Sequence, residues 1–207
     1  MPLPSQWGRP EDFATLFQYF WHRDFPMDRT AVGARRADWT MHIGVVVRSI
    51  GDLMGLATRF ERGGRKDAVL RSREGDELAL EWEWDGVKGN ELRKLKRHKS
   101  WSASGESNRP LKYGVLISYA NKEETSTTYA HVLKEWEGAD WPLLLILITF
   151  QESKEFRMGR DFQSMECSLF EAEGQRQLRS APATPWNLES TRWPGELGGN
   201  HGTTPVG

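Results

Sequence analysis

The chain reads as an α/β (α+β) protein in which a mixed central β-sheet is flanked by helices. Three stretches predict this. Apolar residues recur at spacings of three and four from Thr40 to Phe60 (Ile43, Val46, Val47, Ile50, Leu53, Met54, Ala57, Phe60), the pattern of an amphipathic helix. The segment Trp141–Phe150 (WPLLLILITF) is apolar almost throughout, as in a strand buried on both faces. Between them, LALEWEW (Leu78–Trp84) alternates acid and tryptophan with the period of two that marks a half-buried strand.

In order along the chain, residues 10–24 read as a first helix. Pro10 suits its first turn, and Glu11 and Asp12 suit the positive end of its dipole. The helix over 40–60 follows, with Asp38 or Thr40 as cap and Gly63-Gly64 as its stop. Lys66–Ser72 and Leu78–Trp84 form a hairpin around the turn Arg73–Asp76. Asn90 is placed to cap a short basic helix, ELRKLKRHK. Leu111–Tyr119 is rich in β-formers. Asn121 and Glu124 have capping-box spacing for a helix through Trp136, which Gly138 stops. Phe162–Phe170 alternates loosely and reads as a further strand. From Gly174 the composition turns to Gly, Pro, Thr and Gln. The expected organisation is therefore one domain over 1–173, with a core over about 38–150. A C-terminal extension over 174–207 is expected to be partly disordered, with Trp186 and Trp193 docking on the body.

Bulk composition narrows the function classes. Of 207 residues, 38% are hydrophobic and 28% charged, a globular balance, and no run of 18 apolar residues exists to span a bilayer. MPLPSQWGRPEDF lacks the basic and apolar regions of a secretory signal. The single cysteine, Cys167, excludes an internal disulfide and a multi-cysteine zinc site, and a cytoplasmic setting is expected. The five histidines show no paired metal spacing, and no nucleophile elbow or P-loop is present. Net charge is −1, but basic residues cluster: Lys88, Arg93, Lys94, Lys96, Arg97 and Lys99 face one acid, Glu91.

The hairpin concentrates carboxylates. Glu81 and Glu83 lie two apart on one strand and share a face; Trp82 and Trp84 share the other. Asp67 opens the preceding strand. A turn centred on Glu74 sets Asp67 opposite Glu81, and one centred on Gly75 sets it opposite Glu83. In either register the three acids share a face; only a two-residue turn with an odd sum would separate them. That makes a hard-oxygen site suited to Mg²⁺ or Mn²⁺; the bland alternative is a solvated hairpin salt-bridged to Lys66, Arg71 or Arg73.

The order helix, Asp-bearing strand, E-x-E strand, basic helix and strand, over roughly 38–150, resembles the PD-(D/E)xK (restriction-endonuclease-like) phosphodiesterase superfamily. The resemblance lies in order and spacing, not close identity. It implies a restriction-endonuclease-like core and a metal-dependent nuclease that hydrolyses DNA phosphodiester bonds with Mg²⁺ (or Mn²⁺). Asp67 and Glu81 would take the places of the metal-binding acids. Glu83 stands where the motif has lysine, as a third catalytic and metal-binding acid, and Lys94 would stand in for the missing amine. Lys66 precedes Asp67 where the motif has proline. Glu61 is either an auxiliary ligand or a solvent-facing acid. In this context Arg93, Lys94, Lys96 and Arg97 become the candidate nucleic-acid-binding residues. The resemblance also admits a homodimer. The alternative is a catalytically inactive domain of the same fold, acting as a nucleic-acid-binding or protein-interaction subunit.

Overall fold

A computed structural model of the chain describes residues 8–25, 36–62, 66–102, 105–107, 109–152 and 160–185. Its elements are helices α1 (Pro10–Arg23) and α2 (Arg36–Leu53), then strands β1 (Ala57–Arg62), β2 (Lys66–Arg71) and β3 (Asp76–Glu83). Helix α3 (Gly89–Lys96), a small ladder β4 (Ser100–Ser102) and β5 (Gly105–Ser107), and β6 (Tyr113–Asn121) follow. A 3₁₀ turn leads into α4 (Thr125–Trp136), and β7 (Leu143–Glu152), β8 (Arg160–Glu171) and β9 (Gly174–Pro182) complete the chain.

The main sheet has seven strands in the order β1-β2-β3-β6-β7-β8-β9. Its centre is parallel, with β3 beside β6 and β6 beside β7. Both flanks are antiparallel. Parallel neighbours need a crossover, and α3 and α4 supply the two crossovers. Their side of the sheet is closed by Ala79, Leu116, Leu145 and Leu147 packed against Leu92, Leu95, Val132 and Trp136. The opposite face carries Leu78, Leu80, Val115, Ile117, Ile146 and Ile148 against α1 and α2. Successive residues of each central strand thus serve different cores, which is why WPLLLILITF has no polar face. The fold class read from the sequence, a mixed sheet between helices, is the one observed.

Several boundaries moved, and Asp38 and Thr40, expected as caps, lie inside α2. The α2 helix ends at Leu53, and the apparent helical spacing of Ala57 and Phe60 belongs to β1. Gly55, at φ +70°, takes the left-handed position that ends the helix. Gly55 N–H bonds to Asp52 C=O at 3.2 Å and Leu56 N–H to Gly51 C=O at 2.8 Å, a Schellman motif. Gly51 lets β1 pack against α2: a Cβ there would lie 2.4 Å from Thr58 Oγ1. Gly63-Gly64, expected to stop the helix, lies outside the described residues.

Residues 174–182, expected as part of an extension, form the edge strand β9. Its polar sequence hid it, because its arginines bond to α1 in place of apolar packing. Arg179 donates to Gln18 Oε1 (2.6 Å) and Thr15 Oγ1 (3.1 Å), and Arg176 reaches Glu11 (3.0 Å). Trp21 Nε1 then donates to Ala183 C=O at 2.7 Å, closing the chain onto α1. Trp186, Trp193 and Gly198–Gly207 lie outside the described residues. Among the described residues no helix is long and apolar enough to cross a membrane.

His42 of α2 is buried among Trp21, Phe25 and Trp39, its ring centroid 4.7 Å from that of Trp21. Its Nε2 has no hydrogen-bond partner. Burial holds its pKa down at about 4, against the attraction of Asp24. The unfolded chain therefore binds the extra proton first, below about pH 6.5, and stability falls with pH until the folded form also titrates. The stability difference between wild type and His42→Phe is expected to change by about 3 kcal/mol between pH 6.5 and 4. Urea titrations across that range measure it, and a pH-independent difference would refute the assignment.

Candidate functional site

The β2–β3 hairpin settles the register left open by the sequence. Ala68 lies opposite Leu80, Val69 opposite Ala79 and Leu70 opposite Leu78. The constant sum centres the turn on Glu74 and sets Asp67 beside Glu81. Leu78 and Leu80 face α1 and α2, so Glu81 points with Ala79 to the other side, beneath α3. Trp82 and Trp84 point away from it and pack on the α1/α2 core, as the alternation predicts. Trp82 also contributes its backbone: its N–H donates to Asp67 Oδ2 at 2.7 Å, fixing that carboxylate.

Parallel pairing of β3 with β6 requires the chain to pass over Glu81, and α3 does so. Leu92 and Leu95, both fully buried, seat the helix on the sheet. Its N-terminus begins after Lys88 with no side-chain cap; Asn90, expected as the cap, instead accepts from Arg93 within the helix. Lys94 reaches down from α3. Its Nζ lies 3.4 Å from Glu81 Oε2 and 2.5 Å from Glu91 Oε2. The structure therefore joins Asp67, Glu81 and Lys94 and adds Glu91, one helical turn before Lys94.

The electrostatics are those of crowded like charges with too little water. The Glu81 side chain is 1% exposed. Burial first, then the nearby Asp67 and Glu91, push its pKa up to about 9, with Lys94 opposing. Burial also raises Asp67, against the Trp82 N–H bond and Lys94. Lys94 is penalised by burial, yet the bonds and charges of Glu91 and Glu81 outweigh this and raise it. Buried Lys66 is lowered by desolvation and partly supported by Glu81. At neutral pH Glu81 is thus protonated, and the ion pair in the site is Lys94–Glu91. Glu81 Oε1 is buried with no partner.

Glu83 does not join this group. Its carboxylate is held by Lys88 at 3.1 Å and by Arg36 at 3.7 Å. Among the described residues no three His, Cys, Asp or Glu side chains are grouped to hold a metal ion, so Asp67, Glu81 and Glu83 do not form the three-acid set expected of them. The physical reason is local: the loop after β3 brings Lys88 back onto Glu83, and α2 delivers Arg36. Glu61 lies in edge strand β1, exposed, at φ +51°.

The basic helix is also redistributed. Arg93 faces Glu135 at 3.9 Å. Lys96 donates to the backbone carbonyls of Glu135 (3.2 Å) and Glu137, capping the end of α4. Arg97 is exposed, with no ion pair among the described residues. Of the four residues assigned to nucleic acid, three are thus engaged within the fold. Glu91 was visible in the sequence only as the lone acid of a basic run; its three-residue spacing to Lys94 was the signal. Cys167 is fully buried and its thiol pushed up to about 12 by that burial, which fits a packing residue.

A scan against protein-family models finds no match, and a search of curated proteins finds none similar to this chain.

Replacing Glu81 by Gln preserves the shape of the protonated acid. Without added metal, Glu81→Gln is expected to fold as stably as wild type near pH 5. Because the folded pKa exceeds the unfolded one, wild type gains protons on folding between about 4.5 and 9 and loses stability relative to the variant as pH rises through that window. Thermal melts at pH 5, 7 and 9 test this, and a wild type that gains on the variant with rising pH would refute it.

Proposed function

We propose that the chain is a metal-dependent nuclease hydrolysing DNA phosphodiester bonds, with Asp67, Glu81 and Lys94 as its reactive group. The observation that carries the reading is the meeting of buried Glu81, half-buried Asp67 and an amine where β2 and β3 lie under α3, with Glu81 Oε1 left unpartnered. Further support comes from the order α2, the β2–β3 hairpin, α3 and β6, which is the order expected of the restriction-endonuclease-like core.

The donor set fits a divalent cation. Two hard carboxylates on adjacent strands, one with an orphan oxygen, suit Mg²⁺ or Mn²⁺, which takes few protein carboxylates and keeps several waters. Asp67 and Glu81 would hold the ion; Glu83 is committed to Lys88 and Arg36. Bound there, the ion would supply an activated water and stabilise charge on the phosphate. The protein's own share is preorganisation. The Trp82 N–H fixes Asp67, and the tryptophans of β3 anchor the strand from behind. Lys94 presents a proton-bearing Nζ beside Glu81, the role the amine of the motif would fill.

A second reading is favoured by the internal bonding of α3. With Arg93, Lys94 and Lys96 committed within the fold, the helix offers little free positive charge for phosphates. That suits a catalytically inactive domain acting as a protein-interaction or nucleic-acid-binding subunit. The two readings part on metal binding and cleavage. Supercoiled and single-stranded DNA incubated with purified protein and Mg²⁺ or Mn²⁺ is expected to be cut, with Asp67→Asn and Glu81→Gln slowing the rate at least about 100-fold. Activity that survives Glu81→Gln would place the site elsewhere. Titration calorimetry with no heat from Mn²⁺ at neutral pH, together with intact DNA, would favour the inactive domain.

A further inference from the structure

The β3 residue in the lysine position of the motif, Glu83, is an acid held by Lys88 and Arg36. Whatever amine serves the site must therefore come from another element and must be held there. Lysine carries its charge on a flexible four-carbon stem, and a lysine that is 38% exposed has open solvent to move into. Glu81 holds it only loosely: its Oε2 lies 3.4 Å from Lys94 Nζ, beyond the usual hydrogen-bond range. What does hold it is one turn away on the same helix.

We propose that Glu91 is the positioning residue of this site: it anchors the Lys94 ammonium over Glu81, so that an amine borne by α3 replaces the missing lysine of β3. The proposal rests on the nuclease reading above. Glu91 Oε2 lies 2.5 Å from Lys94 Nζ, nearer by 0.9 Å than Glu81 Oε2 at 3.4 Å. The Glu91 side chain is itself only 15% exposed, so water competes weakly for it. The helix beneath the pair is rigidly placed. Leu92 and Leu95 are fully buried on the sheet, and Lys96 is tied to the carbonyls ending α4. Glu91 and Lys94 therefore project from a fixed backbone at a spacing of three, on one helix face. The same geometry explains why an acid sits inside the basic run Lys88–Lys99: without it, Lys94 would be a solvated surface lysine.

Two measurements test this. In steady-state cleavage, Glu91→Ala is expected to lower kcat about tenfold with KM changed less than about twofold, because only the placement of the amine is lost. Glu91→Gln, which keeps an oxygen acceptor for Lys94, is expected to restore most of that rate. The double variant Glu91→Ala/Lys94→Ala should be no slower than Lys94→Ala alone. Losses that multiply in the double variant would show Glu91 acting independently of Lys94 and would overturn the proposal. The second measurement needs no cleavage. In low-temperature ¹⁵N spectra the Lys94 ammonium should be protected from exchange in wild type and Glu91→Gln, and unprotected in Glu91→Ala. A protected Lys94 ammonium in Glu91→Ala would refute the anchoring. If wild type cuts no DNA, the nuclease reading fails, while the ammonium spectra still decide what holds Lys94.

Discussion

Parallel pairing of β3 with β6 is the constraint on which the rest of the structure turns. Two parallel neighbours cannot be joined by a tight turn, so the chain between them must travel back across the sheet. Helix α3 makes that crossing over the one face of β3 that carries acids. That crossing covers Glu81, which β2 and β6 flank within the sheet. The same crossing delivers Glu91 and Lys94, which meet Glu81 from above while Asp67 meets it from the side. The antiparallel hairpin alone would have left those acids in water.

Burial then sets the chemistry. A carboxyl group removed from water beside another carboxyl favours the proton over the charge, and one lysine shared with Glu91 does not reverse this. The result is a pocket of negative potential that is neutralised by a proton and an ion pair. Such an arrangement costs folding free energy. Perturbed carboxyl groups cluster at functional sites, which is what marks Asp67 and Glu81 as candidates.

The basic helix shows how a charge run changes meaning in three dimensions. Read linearly, Lys88–Lys99 suggests a phosphate-binding face. Folded, Lys88 neutralises Glu83, Lys94 serves the acid cluster, and Lys96 caps α4. Most of the positive charge compensates the acids and helix ends that the parallel crossovers bring together. On the other face, the ten tryptophans of the chain include Trp21, Trp39 and Trp84, which form one aromatic cluster with Phe25, Tyr119 and Phe162. That cluster anchors β3 from behind, so both faces of this strand are held.

The sequence by itself determined the periodicities. The helices α1, α2 and α4, the buried β7, the hairpin and the two faces of E-W-E-W are all legible there, because a period of 2 or 3.6 follows from backbone geometry. Sequence also placed Asp67 and Glu81 on one face in either even-sum register, leaving the pairing itself to the fold, and it made Lys94 a candidate through the motif order. Tertiary structure decided what depends on contacts distant in sequence. Gly55, not Gly63-Gly64, stops α2, because β1 must pack on Gly51. β9 is a strand because its backbone pairs antiparallel with β8, and its Arg179 then bonds to α1. Glu83 leaves the acid group because Arg36 and Lys88 reach it first. Glu91 enters because a crossover helix has only one phase in which its two leucines are buried, and that phase points Glu91 and Lys94 at Glu81.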